Sequence, residues 1–247
     1  MKSEITMKHP AEDMQFLFRL AGAAAILMLA IILIQLVVFM SAPPPYEGTA
    51  IDWFNLFQEN KLIGLIDFEF LMVIYTVISI LVTVALYLTL KHASPAFTAL
   101  YLALSVIGVM AFIAARPAFE MLYLSNGYAA AGTEAQRAMF LAAGEAKLAT
   151  FDGTAFQMSY VLGSLTGLII SMVMLRTNIF SKRTAYVRIA SSLCDFGLYI
   201  PTIGIFISIL SVLFLFIWNI LIARRLFQLA NAGARANETN KGLPVEG

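Results

Sequence analysis

Five charged residues lie inside or beside long apolar runs of the sequence, where a charge is costly. They are Asp67, Glu69, Arg116, Glu120 and Asp195. A charge near the centre of a bilayer costs about 2.5–3.5 kcal/mol or more, so such residues usually face the protein interior or water. Four acids and one arginine have the chemistry to bind a cation, relay a proton or hold a polar headgroup. Arg116 and Glu120 are four residues apart, so we expect them to pair on one helix face.

Three interpretations of these five residues stay open from the sequence. Asp67, Glu69, Arg116 and Glu120 lie within one or two turns of an expected membrane surface, so their side chains could reach the headgroups. The second interpretation is a buried structural ion pair, in which Glu69 or Asp195 also approaches Arg116. The third is a ligand or proton site. Asp195 is the hardest to assign to the surface, and the role expected for it is an interhelical hydrogen bond.

Metal, nucleotide and serine-nucleophile chemistry have no support in the sequence. The chain has two histidines, neither of them in an expected span, and one cysteine. The glycine-rich patterns that bind phosphate are missing, as is the G-x-S-x-G pattern of a nucleophilic serine. We therefore predict no metal, no cofactor and no catalytic residue. The net charge of +1 predicts no binding to nucleic acid.

Small residues recur at every fourth position of the apolar segment 153–175. An α-helix turns by about 100° per residue, so this spacing lays them along one side as a smooth ridge. In lipid, small residues let two helix backbones approach closely. We expect another helix, from this chain or from a partner, to cross this small-residue ridge, which consists of Ala155, Ser159, Gly163, Gly167 and Ser171.

The composition and the lengths of the apolar runs indicate an all-α, polytopic membrane protein. The 247 residues are 60% hydrophobic and 13% charged, whereas soluble domains are about half apolar and about a quarter charged. A helical span needs about 20 apolar residues. This requirement predicts a transmembrane domain at 16–227, between tails at 1–15 and 228–247. Its six spans are expected at 16–40, 65–90, 96–122, 153–175, 185–200 and 202–223.

Two short amphipathic helices are expected on the outer membrane surface. The segment 50–64 mixes Trp53 and other aromatic residues with polar ones. The segment 133–148 starts with Thr133 and Gln136, which fit a capping box. Helices of this kind lie in the headgroup region of a bilayer.

The distribution of basic residues favours six spans over five. With both termini in the cytoplasm, six spans place twelve lysines and arginines inside, Arg188 among them. Only four lie outside, namely Lys61, Arg116, Arg137 and Lys147. Cytoplasmic loops of membrane proteins carry such an excess of positive charge. A five-span chain would divide the basic residues equally, so the bias predicts six.

Three stretches carry a resemblance to a known family. They are the segment 116–124 (Arg-Pro-Ala-Phe-Glu-Met-Leu-Tyr-Leu), the Ala- and Glu-rich helix at 133–148, and Gly-Leu-Tyr-Ile-Pro at 197–201 leading to Trp218 and to Ala-Arg-Arg-Leu at 223–226. Their order and spacing over about 16–229 resemble the bacterial multi-pass membrane family called domain of unknown function 4386. The resemblance implies a multi-pass bacterial membrane protein. We therefore expect it in the bacterial inner membrane, with both termini cytoplasmic as the charge bias indicates. It carries no assigned activity and transfers no functional residue.

The function favoured by the sequence is non-enzymatic. We expect a helix-packing or accessory subunit of a membrane complex, whose partners are membrane lipid and either another membrane protein or a second copy. The alternative is a small proton-coupled or solute transporter that uses the acidic residues of the outer half. A further alternative is a lipid-acting membrane enzyme with a carboxylate pair such as Asp67 and Asp195.

Overall fold

The computed structural model describes residues 10–241, with side chains described for 12–204 and 206–234. All regular structure in this range is helical. Residues 1–9 and 242–247, which belong to the predicted tails, lie outside the described residues. The helices are α1 (Pro10–Ser41), α2 (Ala50–Glu59), α3 (Lys61–Asp67), α4 (Phe70–Leu90), α5 (Pro95–Ala114), α6 (Ala118–Ala130), α7 (Glu134–Phe151), α8 (Thr154–Leu175), α9 (Lys182–Asp195), a 3₁₀ turn (Phe196–Tyr199) and α10 (Gly204–Lys241).

Several of these helices are long and apolar enough to cross a membrane, and the chain is a multi-pass membrane protein. Their outward faces expose large apolar side chains such as Val37, Met110 and Phe206, as lipid-facing surfaces do. The helix at the predicted span 185–200 is not long and apolar enough by itself, because α9 has 14 residues and is polar on average. Among the described residues, five stretches are long and apolar enough to cross a membrane: Glu12–Ser41, Phe70–Leu90, Pro95–Ala130, Glu134–Leu175 and Phe206–Ala234.

Six helices form a closed ring in the order α1, α4, α5, α8, α9 and α10. Each packs against the one before and the one after it, and α10 completes the ring by packing along α1. Helices α1 and α10 are antiparallel, because Gln15 lies against Gly233 while Gly22 lies against Phe227. The two ends of the described chain therefore meet at one end of the ring, which we call the tail end. Helix α10 continues to Lys241, through much of the tail predicted at 228–247.

Two of the predicted spans are interrupted at the opposite end of the ring. The span at 65–90 breaks at Glu69, whose φ of 61° is left-handed and separates α3 from α4. The span at 96–122 breaks before Pro117, where α5 has ended and α6 has not begun. Proline lacks an N–H and disfavours helical conformation in the preceding residue, here Arg116. The breaks thus remove Glu69 and Arg116 from regular helix.

The helices α2, α3, α6 and α7 pack together as a cap over that end of the ring, which we call the cap end. The rings of Trp53 and Phe151 each lie 4.9 Å from the ring of Phe68, measured between centroids. Gly144 allows close approach, since a Cβ atom there would lie 2.7 Å from the ring of Phe54. The segments predicted as amphipathic helices are helical, and they bury their apolar faces against each other and α6. The aromatic core of the cap consists of Trp53, Phe54, Phe57, Phe68 and Phe151.

Candidate functional site

The ring of six helices encloses a polar cavity of about 280 Å³, to which every ring helix contributes lining residues. Of the charged groups on described residues, its wall contains one guanidinium, from Arg188, and one carboxylate, from Asp195. Hydroxyl groups surround them, including those of Ser79, Thr83, Tyr101, Ser105, Tyr160 and Ser164. Polar residues inside a membrane bundle typically mark the pathway of a substrate or ion. This cavity is therefore the candidate functional site.

Arg188 reaches the cavity from α9. Its Nη2 donates to the carbonyl oxygen of Gly163 at 3.3 Å, and its Nη1 donates to Oγ of Ser191 at 3.4 Å. Its Cζ lies 5.3 Å from the ring centroid of Trp218. Within the described part of the chain, no carboxylate oxygen lies within 4.0 Å of this guanidinium. The positive charge is therefore balanced by dipoles and a π face and has no ionic partner there.

Asp195 lies seven residues further along α9 and lines the same cavity. Its Oδ2 accepts a hydrogen bond from Oγ of Ser164 at 3.3 Å. Ser164 follows Gly163 in α8, so the two charges of the cavity contact neighbouring residues of one helix. Among the described residues, no lysine or arginine nitrogen lies within 4.0 Å of Asp195. Two opposite charges thus share one cavity without forming an ion pair.

The small-residue ridge packs within the chain, partly against α9 and partly along the cavity. A Cβ atom at Gly167 would collide with Oγ of Ser192 and would lie 2.7 Å from Nε of Arg188. Glycine at this position therefore lets α9 approach α8. A Cβ atom at Gly163 would meet nothing within 4 Å, because Gly163 faces the open cavity. The other ridge residues are buried or half-buried in the bundle: Ala155, Ser159 and Ser171.

Among the described residues, three buried polar atoms in or next to the cavity wall have no hydrogen-bond partner. Trp218 lines the cavity and is 7% exposed. Its indole N–H is fully buried and has no acceptor among the described residues. The hydroxyl of Ser192 and the amide oxygen of Asn219 also lack partners there. Buried polar groups nearly always have a partner. Because the indole nitrogen of Trp218 is itself enclosed by protein atoms, a molecule in the cavity would reach it only if neighbouring side chains moved.

A second polar site, at the cap end, is satisfied by the protein itself. Nε of Arg116 donates to Oε2 of Glu69 at 2.7 Å, and Nη1 donates to the carbonyl oxygen of Phe151 at 2.7 Å. The guanidinium carbon lies 3.9 Å from the ring centroid of Phe151. The hydroxyl of Tyr46 donates to Oε1 of Glu69 at 3.3 Å. These contacts join α4, α5 and α7, so the pair connects the ring to the cap.

Glu120 does not join this pair. It is exposed on α6, in a surface groove that Lys147 also lines. The break at Pro117 separates Arg116 from α6 and removes the helical spacing on which the expected pairing with Glu120 depends.

Asp67 lies at the end of α3 and is completely buried. Neither of its carboxylate oxygens has a hydrogen-bond partner among the described residues. Burial raises the pKa of Asp67 from 3.8 to about 6. Nearby, the amide nitrogen of Gln35 donates to the carbonyl oxygen of Ile66 at 2.9 Å, which ties α1 to α3. Of the five predicted polar residues, the structure thus joins only Glu69 and Arg116 and places Asp195 in the cavity.

Arg188 is the cavity residue that sequence reasoning missed. The sequence assigns it to a basic cytoplasmic stretch, whereas the structure places it beside Gly163 within the bundle. The signal lies in α9, where Thr184, Arg188, Ser191 and Asp195 recur at spacings of four, three and four residues. This spacing gives a helix one polar face, and a polar face in a membrane bundle has to point inward.

No known protein family, curated protein or solved structure matches this chain. The resemblance to the bacterial family named above therefore stays a prediction, and the site rests on its own geometry.

Proposed function

We propose that this chain is an integral membrane protein that binds a small polar solute in the cavity of its helix ring and carries it across the bilayer. The observation that carries the proposal is that Arg188 and Asp195 line one cavity without pairing. Buried charges in a purely structural role are normally paired with each other, as Glu69 and Arg116 are. Charges held apart around open space are suited to a bound molecule.

This proposal favours the transporter alternative over an accessory subunit. The small-residue ridge was the main reason to expect a partner helix, and α9 of the same chain packs on it at Gly167. The acidic residues proposed to act in transport differ from those expected from the sequence. Asp195 stays in the proposal, whereas Glu69 is bonded to Arg116 and Glu120 lies at the surface. We retain the prediction that the protein is not an enzyme, and propose no cofactor.

The proposed topology has six crossings, with α9 as the fifth. Both described ends of the chain lie at the tail end, which supports an even number of crossings. Helix α9 and its 3₁₀ turn run along α8 from the tail end to Tyr199, whose hydroxyl donates to Oε1 of Gln157 at 2.8 Å. Gln157 is in the first turn of α8, so this path covers nearly the full height of the ring. The cap would then lie at the outer surface of a bacterial inner membrane, and both termini in the cytoplasm.

The proposed function is tested by uptake into proteoliposomes. The purified protein is reconstituted, and uptake of labelled amino acids, short carboxylates, amines and polyols is compared with uptake by protein-free liposomes. We expect uptake of at least one solute class by the wild type and its loss in Asp195→Asn. A Gly163→Leu variant should also lose uptake, because the new side chain fills the cavity. Glu120→Gln is the matched acid-to-amide control and should retain uptake.

Two results would overturn the proposal. One is uptake no faster than in protein-free liposomes for every solute. The other is uptake that continues at the wild-type rate in Gly163→Leu, because solute would then not pass through the cavity. Size-exclusion elution and melting temperature of each variant establish that the folded protein is being compared.

A further inference from the structure

The two charges of the cavity have opposite signs and lie on one helix. Arg188 and Asp195 are seven residues apart, which corresponds to about 10 Å along the α9 axis. Their contacts with Gly163 and Ser164 of α8 bring the charged groups towards one another along the cavity wall. Both charges face open space, and neither has an ionic partner among the described residues.

The Arg188 side of the cavity has unused hydrogen-bond donors. A guanidinium has five N–H donors, and within the described part of the chain those of Arg188 make hydrogen bonds to Gly163 and Ser191 only. The ring of Trp218 lies beside the guanidinium of Arg188, and its buried indole N–H has no acceptor among the described residues. An anionic group bound here would accept hydrogen bonds from the guanidinium of Arg188.

The Asp195 side has unused acceptors. A carboxylate has about four acceptor positions, and the Asp195 carboxylate accepts one hydrogen bond from the described residues, that of Ser164. Its charge has no basic side chain within 4.0 Å in the described part of the chain. An ammonium group, which donates three hydrogen bonds, would satisfy this carboxylate.

A solute with a single charge leaves the other side of the cavity unsatisfied. A simple anion on Arg188 would leave Asp195 without a partner and would be repelled by its carboxylate. A simple cation on Asp195 would leave Arg188 without a partner and would be repelled by its guanidinium. A solute that carries both charges neutralises both residues and is itself neutral overall, which lowers the cost of moving it through a low-dielectric bilayer.

We infer that the solute bound in this cavity is a small zwitterion, with its carboxylate or other anionic group on Arg188 and its ammonium group on Asp195. This inference rests on the proposed function and narrows the class of solute. A cavity of about 280 Å³ is at the small end of ligand sites, which are typically about 300–1,000 Å³. Amino acids of a few carbons, with the two charges at opposite ends, are the simplest molecules that fit.

The test measures binding of three zwitterions and two singly charged analogues by calorimetry with the full-length protein in detergent micelles. The zwitterions are glycine, γ-aminobutyrate and ε-aminocaproate, which separate the charges by increasing distances. Butyrate and butylamine each keep one charge of γ-aminobutyrate. We expect at least one zwitterion to bind about ten- to a hundredfold more tightly than either analogue, which is the typical effect of one charged hydrogen-bonded contact.

Substitutions at the two charges should remove this preference in opposite ways. Asp195→Asn should bind butyrate as well as it binds the zwitterion, because the ammonium group has lost its partner. Arg188→Gln should bind butylamine as well as it binds the zwitterion. Asp152→Asn and Arg183→Gln change exposed residues of the same types and should bind like the wild type. If Arg188→Gln does not fold, Arg188→Lys is used in its place. This variant keeps the positive charge and should retain a preference for the zwitterion.

The outcomes separate this inference from the proposed function. Butyrate or butylamine binding as tightly as every zwitterion in the wild type would overturn the inference, and so would the absence of zwitterion binding at millimolar concentration. The proposed function stands in either case if a simple ion or a polyol is taken up and Gly163→Leu blocks its uptake. Zwitterion binding that persists unchanged in Asp195→Asn and Arg188→Gln would also overturn the inference.

Discussion

The buried carboxyl group of Asp67 should make the stability of this protein depend on pH. Asp67 is completely buried at the end of α3, and its oxygens have no hydrogen-bond partner among the described residues. Burial favours the neutral form, so the pKa of Asp67 rises from 3.8 to about 6. The folded protein therefore holds the proton more tightly than the unfolded chain does. The resulting stabilisation is complete below pH 3.8 and is lost as the pH rises through about 6.

The size of this effect follows from the two pKa values. One pKa unit corresponds to about 1.4 kcal/mol, so the change from 3.8 to about 6 is worth about 3 kcal/mol of unfolding free energy. Asp67→Asn removes the titration, because asparagine is neutral at every pH and has nearly the same shape. Relative to the wild type, the variant should therefore be more stable at pH 8 than at pH 4 by about this amount. The difference corresponds to about 6–12 °C in melting temperature for a chain of this size.

The assay is intrinsic-fluorescence melting of both proteins in the same detergent at pH 4, 5, 6, 7 and 8. Asp152→Asn, which removes an exposed carboxylate, is the matched control, and its offset from the wild type should not change with pH. An Asp67→Asn offset that is the same at pH 4 and pH 8 would refute the reasoning. The pKa of Asp67 would then be the same in the folded protein as in the unfolded chain.

Three further predictions concern packing. Gly167→Ala should lower the melting temperature, because its Cβ would collide with α9, whereas Gly163→Ala should leave it unchanged, because its Cβ enters the cavity; equal melting of the two variants would contradict this contrast. Glu69→Gln should destabilise the fold by about 3–5 kcal/mol, since it leaves Arg116 buried without its ionic partner; a denaturant titration that shows less than about 1 kcal/mol would count against a buried pair. Phe68→Ala should cost about 3–5 kcal/mol through a cavity in the aromatic core of the cap, measured by the same titration, and a neutral effect would mean that the cap contributes little to stability.

The sequence was sufficient to predict those elements whose signal is local. Runs of apolar residues predicted α1, α8 and α10, and the capping box at Thr133 predicted the start of α7, where its hydroxyl accepts from the backbone N–H of Gln136. The interruption at Pro117 was not predicted: the apolar run 96–122 indicates one span, although the proline itself is a local signal for a break. The left-handed conformation at Glu69 was not predicted either, because no local signal in a glutamate predicts a positive φ. It depends on tertiary contacts with Arg116 and Tyr46.

The site was only partly predictable, because its geometry depends on how the helices meet. Asp195 was identified as a buried acid from its position in an apolar run. Arg188 belongs to a basic stretch, and hydropathy cannot distinguish an arginine in a loop from one that faces a cavity. Gly163 and Gly167 have the same chemistry and the same local pattern. They differ only in what lies opposite them, and that is decided by the placement of α9.

The closure of the ring by the first and last helices also sets the order in which the protein can assemble. Until α10 meets α1, the polar face of α9 has no completed cavity to point into. Helix α9 is short and polar on average, so it is poorly suited to enter a bilayer alone. The four residues between the 3₁₀ turn and α10 connect it directly to the long apolar helix that follows. The two helices are therefore suited to enter the membrane together as a hairpin. Helix α10 would then complete the cavity wall as α9 enters, so that the charges of α9 are shielded from lipid.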